Sequence, residues 1–271
     1  MLPGTDQGTG ARAHSMEKAF GARLGSGGKL VIPYVMAGAT RDWVTVLEAL
    51  CDGGADAIEV GLPFSDPMMD GPVIQAAGEA ALSRGTTPAK VLDALGRAGL
   101  PVPIVVMTYF NLVLRHGLER FAGALLEAGV AGAIVPDLSL EELGPWAHAA
   151  DAAGIDTVLM VAPATPRPRV AAICQRARGF VYAVARMGVT GERDALSPEA
   201  LEVVGRARGA TTLAVCAGIG ISSGEHARHA CAVADGVVVG SALVRRIMDG
   251  AGPRGAAEFL AELRAGAQGT P

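Results

Sequence analysis

Short apolar runs alternate with amphipathic segments along most of this chain. The runs, rich in Val and Ile, fall at Leu30–Met36, Ala57–Val60, Ile104–Met107, Gly132–Val135, Thr157–Val161, Phe180–Val184, Leu213–Ala217 and Gly236–Val239. A strand covered on both faces reads as a continuous apolar run, whereas a strand with one wet face alternates. The segments between them carry apolar residues at helical spacing: Trp43, Val44, Val46 and Leu47; Val91, Leu92 and Leu95; Phe121, Leu125 and Leu126; Val170 and Ile173. Strands alternating with helices make βαβ units and hence a parallel sheet. Eight such units without a composition break favour closure into an α/β, single-domain (β/α)8 TIM barrel over a doubly wound sheet. An extra N-terminal helix is expected from Ser15, its N-cap, to Gly25, with Met16, Phe20 and Leu24 on one face. The barrel should occupy 15–265, between a disordered extension at 1–14 and a frayed tail at 266–271.

Composition narrows the function. Half of the 271 residues are hydrophobic, enough for a large core. The net charge of −4 and the scattered arginines argue against nucleic acid as a partner. The polar, Gly-rich N-terminus lacks the apolar centre of a secretory signal, and no apolar run is long enough for a membrane helix. Cys51, Cys174, Cys216 and Cys231 form no CxxC pair and read as reduced, buried small hydrophobes, so a cytoplasmic protein is expected.

Chemistry in such a barrel gathers at the C-terminal ends of the strands. The candidates there are Met36-Ala37-Gly38, Glu59 with the Phe64–Pro72 loop, Thr108-Tyr109-Phe110-Asn111, and Pro136-Asp137. Later in the chain come Tyr182 and Arg186 with the Gly188-Val189-Thr190-Gly191 turn, then Gly218-Ile219-Gly220 and Gly240-Ser241. Glu59 stands out, because a carboxylate inside an apolar run is costly unless paired or put to chemical use. Desolvation should raise its pKa and fit it for proton transfer near neutrality. An ion pair with a buried arginine is the structural alternative. Asp70 lies in a proline-stiffened loop just beyond the same strand, either as a second acid or as part of a turn. Asp137 has the same kind of position and could act as a hydrogen-bond acceptor behind the site. The working assignment is a two-carboxylate acid/base site, Glu59 and Asp70.

Glycines after the seventh and eighth strands let backbone N–H groups approach an anion, and Ser241 can open a helix aimed at the same point. Singly, each glycine would do no more than make a tight turn. Jointly they read as a phosphate site, with Thr190 and Gly191 closing over it. Tyr34, Phe64, Ile74, Met107, Ile134, Tyr182 and Ile219 suit a flat apolar substrate body, or are plain barrel core. Other chemistries lack their residues. Of the three lysines, Lys29 precedes the first strand and Lys18 and Lys90 lie on helices, which leaves no Schiff base at a strand end. His14 is in the tail, His148, His226 and His229 lie on helices, and His116 is expected to begin one, so no metal site is expected.

These residues resemble the tryptophan synthase alpha subunit family, whose members cleave indole-3-glycerol phosphate to indole and glyceraldehyde 3-phosphate. The carrying motif is Ile58-Glu59-Val60-Gly61-Leu62-Pro63-Phe64-Ser65-Asp66-Pro67 followed by Asp70-Gly71-Pro72. It is supported by Met107-Thr108-Tyr109-Phe110-Asn111, Pro136-Asp137-Leu138, the Tyr182 to Gly191 stretch, Gly218-Ile219-Gly220 and Gly240-Ser241. The resemblance implies that Glu59 is the general acid/base and that Asp70 binds the indole N–H. Tyr34, Met107, Ile134 and Tyr182 match indole-pocket positions, with Phe64, Ile74 and Tyr109 counted in the same wall. Thr190, Gly191, Gly218, Ile219, Gly220, Gly240 and Ser241 match phosphate-binding or adjacent positions. The Pro63–Asp70 and Gly188–Ala195 loops resemble the two that close the site, and Asp66 matches a position that communicates with the partner. That partner would be a pyridoxal-phosphate beta subunit in an α2β2 assembly, with no cofactor in this chain. Ala39-Thr40 stands where the family often carries Asp-Pro or Phe-Pro facing the partner, and Met36 where a smaller polar residue is expected. Three alternatives stay open: a stand-alone lyase releasing free indole, a non-catalytic barrel that regulates a partner, and a sugar-phosphate isomerase working with two acids.

Overall fold

The computed structural model describes residues 16–184, 197–218 and 220–269. Its eight strands are β1 Leu30–Met36, β2 Ile58–Gly61, β3 Ile104–Met107, β4 Gly132–Ile134, β5 Asp156–Val161, β6 Phe180–Val184, β7 Ala214–Gly218 and β8 Gly236–Val239. They pair in parallel in chain order, and β8 returns to β1 to close the barrel. Each strand begins and ends within one residue of its apolar run.

The runs are continuous because every strand feeds two cores. In β1, Leu30 and Ile32 join the cluster inside the barrel, while Val31 and Val35 join the layer beneath the helices. In β2, Ile58 and Val60 face the helices, and the residue just before the strand, Ala57, faces inward. The two-residue period of a strand therefore carries Glu59 into the barrel. The helix Met16–Gly25 closes the foot: Met16 and Phe20 are buried in the interior cluster, and the Phe20 ring lies 6.0 Å from that of Phe180. Its expected N-cap, Ser15, and the extension at 1–14 lie outside the described residues.

Three expectations about the helices need correction. Phe121 and Leu125 are buried, but Leu126 is exposed, since it stands about 100° further round the helix. His116 ends the helix Phe110–His116 rather than beginning one. The last helix, Gly252–Ala267, runs past 265, and Ala267 is buried. Its Arg264 guanidinium reaches the Asp56 carboxylate at 2.7 Å, the Gly54 carbonyl, and the Lys29 carbonyl at 3.2 Å. Asp56 in turn accepts the Val31 N–H at 2.7 Å, so the helix is fastened to the feet of β1 and β2.

Candidate active site

A cavity of about 1040 Å³ opens at the C-terminal mouth of the barrel. Both carboxylates picked from the sequence line it. Glu59 stands in register between Tyr34 of β1 and Val105 of β3 and is 2% exposed. Its Oε2 has no hydrogen-bond partner, and no arginine pairs with it among the described residues. Loss of water pushes its carboxyl up to about 8, with the negative charge of Asp70 adding to the effect. At neutral pH it therefore holds a proton, whereas an exposed glutamate would not.

Asp70 sits on the loop between β2 and the helix Pro72–Ser83. It is half-buried; desolvation raises its pKa, and a hydrogen bond from the Tyr109 hydroxyl works the other way. The loop is tied down by the Gln75 side chain, whose Nε2 donates to the Asp70 carbonyl at 2.9 Å. One site thus contains two acids whose environments separate their proton affinities, the usual arrangement for dividing acid and base roles.

The flat walls come from inward strand residues. Tyr34, Ile74, Met107 and Tyr182 line the cavity as expected, and Met160 and Val184 complete the apolar surface. Burial pushes the Tyr34 and Tyr182 phenols well up, so both stay neutral. Each tyrosine needs a glycine beside it. A Cβ on Gly61 would collide with the Tyr34 hydroxyl, and one on Gly218 with the Tyr182 ring. Gly218 thus makes room for Tyr182 and does not itself line the cavity. Gly220, Gly240 and Ser241 do line it. Gly240 precedes the helix Ser241–Met248, whose N-terminus no side chain caps. Its leading N–H groups and positive dipole end suit an anion.

Several expected wall residues lie elsewhere. Ile134 is sealed inside the barrel below the cavity, where it packs with Val105 and Val158. Phe64 and Tyr109 stack on each other, ring centroids 5.1 Å apart, and neither lines the cavity. Tyr109 instead accepts the Met69 N–H at 3.0 Å, with its hydroxyl beside the Asp70 carboxylate. Asp137 accepts the Phe110 N–H at 2.9 and 3.1 Å, as a hydrogen-bond acceptor behind the site. Asp66 is exposed and takes a 2.6 Å bond from Ser65. Thr190, Gly191 and Ile219, with Arg186 and the Gly188–Ala195 loop, lie outside the described residues.

Sequence reasoning passed over the fifth strand end. Met160, Ala162 and Thr165 form that wall, and Arg206 fixes it by donating to the Thr165 and Pro163 carbonyls at 2.8 and 3.2 Å. Inward alternation from Val158 would have found Met160. Arg245, one helical turn beyond Ser241, and Ser222 also line the cavity; the first could have been found from its spacing.

Comparison with known proteins agrees with this geometry. A family model described as tryptophan synthase alpha chain matches residues 21–268. The tryptophan synthase alpha chain of Thermobifida fusca (strain YX) is 45% identical over 233 residues, 82% of this chain and 86% of that one. The alpha chain of Streptomyces coelicolor is 41% identical over 262 residues, 94% of this chain and 97% of that one. Among solved structures, a Mycobacterium tuberculosis tryptophan synthase chain superposes with a TM-score of 0.85 at 38% identity, covering 94% of this chain and 98% of its own. With nearly the whole barrel matched in sequence and in shape, the chain belongs to the tryptophan synthase alpha chain family.

Proposed function

We propose that this chain cleaves indole-3-glycerol phosphate by a retro-aldol reaction to indole and glyceraldehyde 3-phosphate, as the alpha component of tryptophan synthase. The carrying observation is the unpartnered Oε2 of Glu59 in a cavity shared with Asp70. Protonated Glu59 delivers its proton to indole C3, which leaves a positive charge on the ring nitrogen. The Asp70 carboxylate stabilises that charge by accepting the ring N–H. Glu59, now ionised, removes the proton from the side-chain hydroxyl. The oxygen lone pair forms the aldehyde carbonyl, the bond from C3 to the side chain breaks, and its electron pair restores the neutral ring. One proton has moved from hydroxyl to C3, and Glu59 ends protonated as it began. Proton transfer and charge stabilisation of this kind need only positioned side chains.

The indole body would lie among Tyr34, Ile74, Met107, Met160 and Tyr182, with the phosphate at the Gly220, Gly240 and Ser241 end. The beta subunit, carrying pyridoxal phosphate, would dock beside the Asp66 loop, where Met68 and Met69 are 82% and 60% exposed. The names of the relatives support this paired enzyme over a stand-alone lyase or a non-catalytic barrel. Among the described residues no helix is long and apolar enough to cross a membrane, which fits the cytoplasmic location proposed here. The test is indole release from indole-3-glycerol phosphate, with and without a beta subunit. Weak activity alone and strong stimulation by the partner are expected. Unaided turnover that the partner leaves unchanged would favour the stand-alone lyase, and no indole in either case would refute the activity.

A further inference from the structure

Apart from the Gln75 side chain, which donates to the Pro67 and Asp70 carbonyls at 3.5 and 2.9 Å, the Asp70 loop has little of its own to hold it. The neighbouring Met68 and Met69 side chains are exposed, and Ser65 bonds only to the adjacent Asp66. What grips the loop from outside is Tyr109, at the end of β3. Its ring stacks on Phe64 at an interplanar angle of 27°, its hydroxyl accepts the Met69 N–H at 3.0 Å, and the same hydroxyl lies beside the Asp70 carboxylate, where it lowers the pKa of that acid. One buried side chain thus holds the loop at Phe64 and Met69 and sits against the reacting acid.

Tyr109 is itself fixed from behind. It is the N-cap residue of the helix Phe110–His116, and it is 5% exposed. The Asp137 carboxylate, just past β4, takes the first helical N–H of Phe110 with both oxygens. A carboxylate at a helix N-terminus satisfies a donor that the helix leaves open and complements the dipole. The ends of β3 and β4 are therefore joined, and through Tyr109 they reach the loop of β2.

We propose that Tyr109 is a positioning residue that holds the Asp70 carboxylate toward the Glu59 cavity before substrate arrives, on a platform braced by Asp137. The inference deepens the retro-aldol reading and rests on it. Tyr109 does not line the cavity, so it acts through Asp70 and not on the substrate. Ionisable groups bearing on this pair are Glu59 from β2, Tyr34 from β1 and Asp137 from the end of β4. Unlike these groups, the Tyr109 hydroxyl favours the ionised form of Asp70.

The experiment is Tyr109→Phe in the full chain, assayed for indole release with a beta subunit beside wild type, Asp70→Asn and the double variant. Phenylalanine keeps the stack on Phe64 and removes only the hydroxyl. The expected result is a loss in kcat of about tenfold, within the range for one hydrogen bond to a charged group, with KM changed less than about threefold. The acid limb of kcat/KM should also move to higher pH, because the bond that lowers the Asp70 pKa is gone. In the Asp70→Asn background the same change should produce no further loss. A wild-type pH profile and kcat in Tyr109→Phe would overturn the inference while leaving the activity intact. A loss of equal size in both backgrounds would also overturn it, by showing that the hydroxyl acts elsewhere. If wild type itself releases no indole, the functional reading fails, and the inference with it.

Discussion

Replacing Glu59 by glutamine tests whether the buried acid holds a proton at neutrality, and the test needs no substrate. The Glu59 pKa stands at about 8 in the fold against an ordinary 4.5. The native chain therefore keeps a proton that the unfolded chain releases, and stability falls as pH rises between those two values. Above about pH 8 both states are ionised and the slope ends. Glutamine does not titrate, so the variant lacks this fall. Integrated from about pH 5 to about pH 9, the variant should gain on the order of 4 kcal/mol relative to wild type. The glutamine amide also lacks a buried partner, an offset of roughly 1–3 kcal/mol that is the same at every pH. The sign of the difference at low pH is therefore free, but its growth is not. At about 2 °C per kcal/mol for a domain of this size, the thermal midpoints should diverge by about 8 °C over that range. Scans of both proteins at several pH values measure this. A difference that stays flat with pH would mean that Glu59 ionises normally in the fold, and the proton donor would have to be found elsewhere. Indole release should be abolished in the same variant.

Other expectations concern the rest of the site and its scaffold. Asp70→Asn should lower kcat by about two to three orders of magnitude, as for loss of one preorganised charge partner. It should also move the alkaline limb of kcat/KM to lower pH, because the charge that helps raise the Glu59 pKa is gone; an unmoved limb would separate the two acids. Phe20→Ala should destabilise the chain by about 3–5 kcal/mol in denaturant titration, since the ring is 2% exposed at the barrel foot against Phe180. Asp137→Ala should cost about 0.5–2 kcal/mol of stability by uncapping the helix at Phe110. It should lower kcat as well through Tyr109, whereas full activity with lowered stability would confine Asp137 to a capping role.

The eight strands were legible because a parallel barrel buries both faces of every strand, and each run shows that burial directly. Period two then placed Glu59 inside, beyond what the run alone said. Glycines beside Tyr34 and Tyr182 were visible as letters, but not as the space those rings occupy. The fifth strand end escaped notice because Met160 and Thr165 carry no charge that marks them among ordinary core residues.

By itself the sequence determined the barrel, the acid within β2 and the second acid a short loop away, since hydrophobic period and local spacing express these directly. Which side chains share the cavity depended on contacts between elements far apart in the chain. Phe64 and Tyr109 have the composition of a binding wall, yet in space they meet each other and grip the Asp70 loop. Ile134 faces inward like Met107 but one layer lower, below the cavity floor. Depth within a barrel depends on the stagger of neighbouring strands, which single-strand periodicity does not contain.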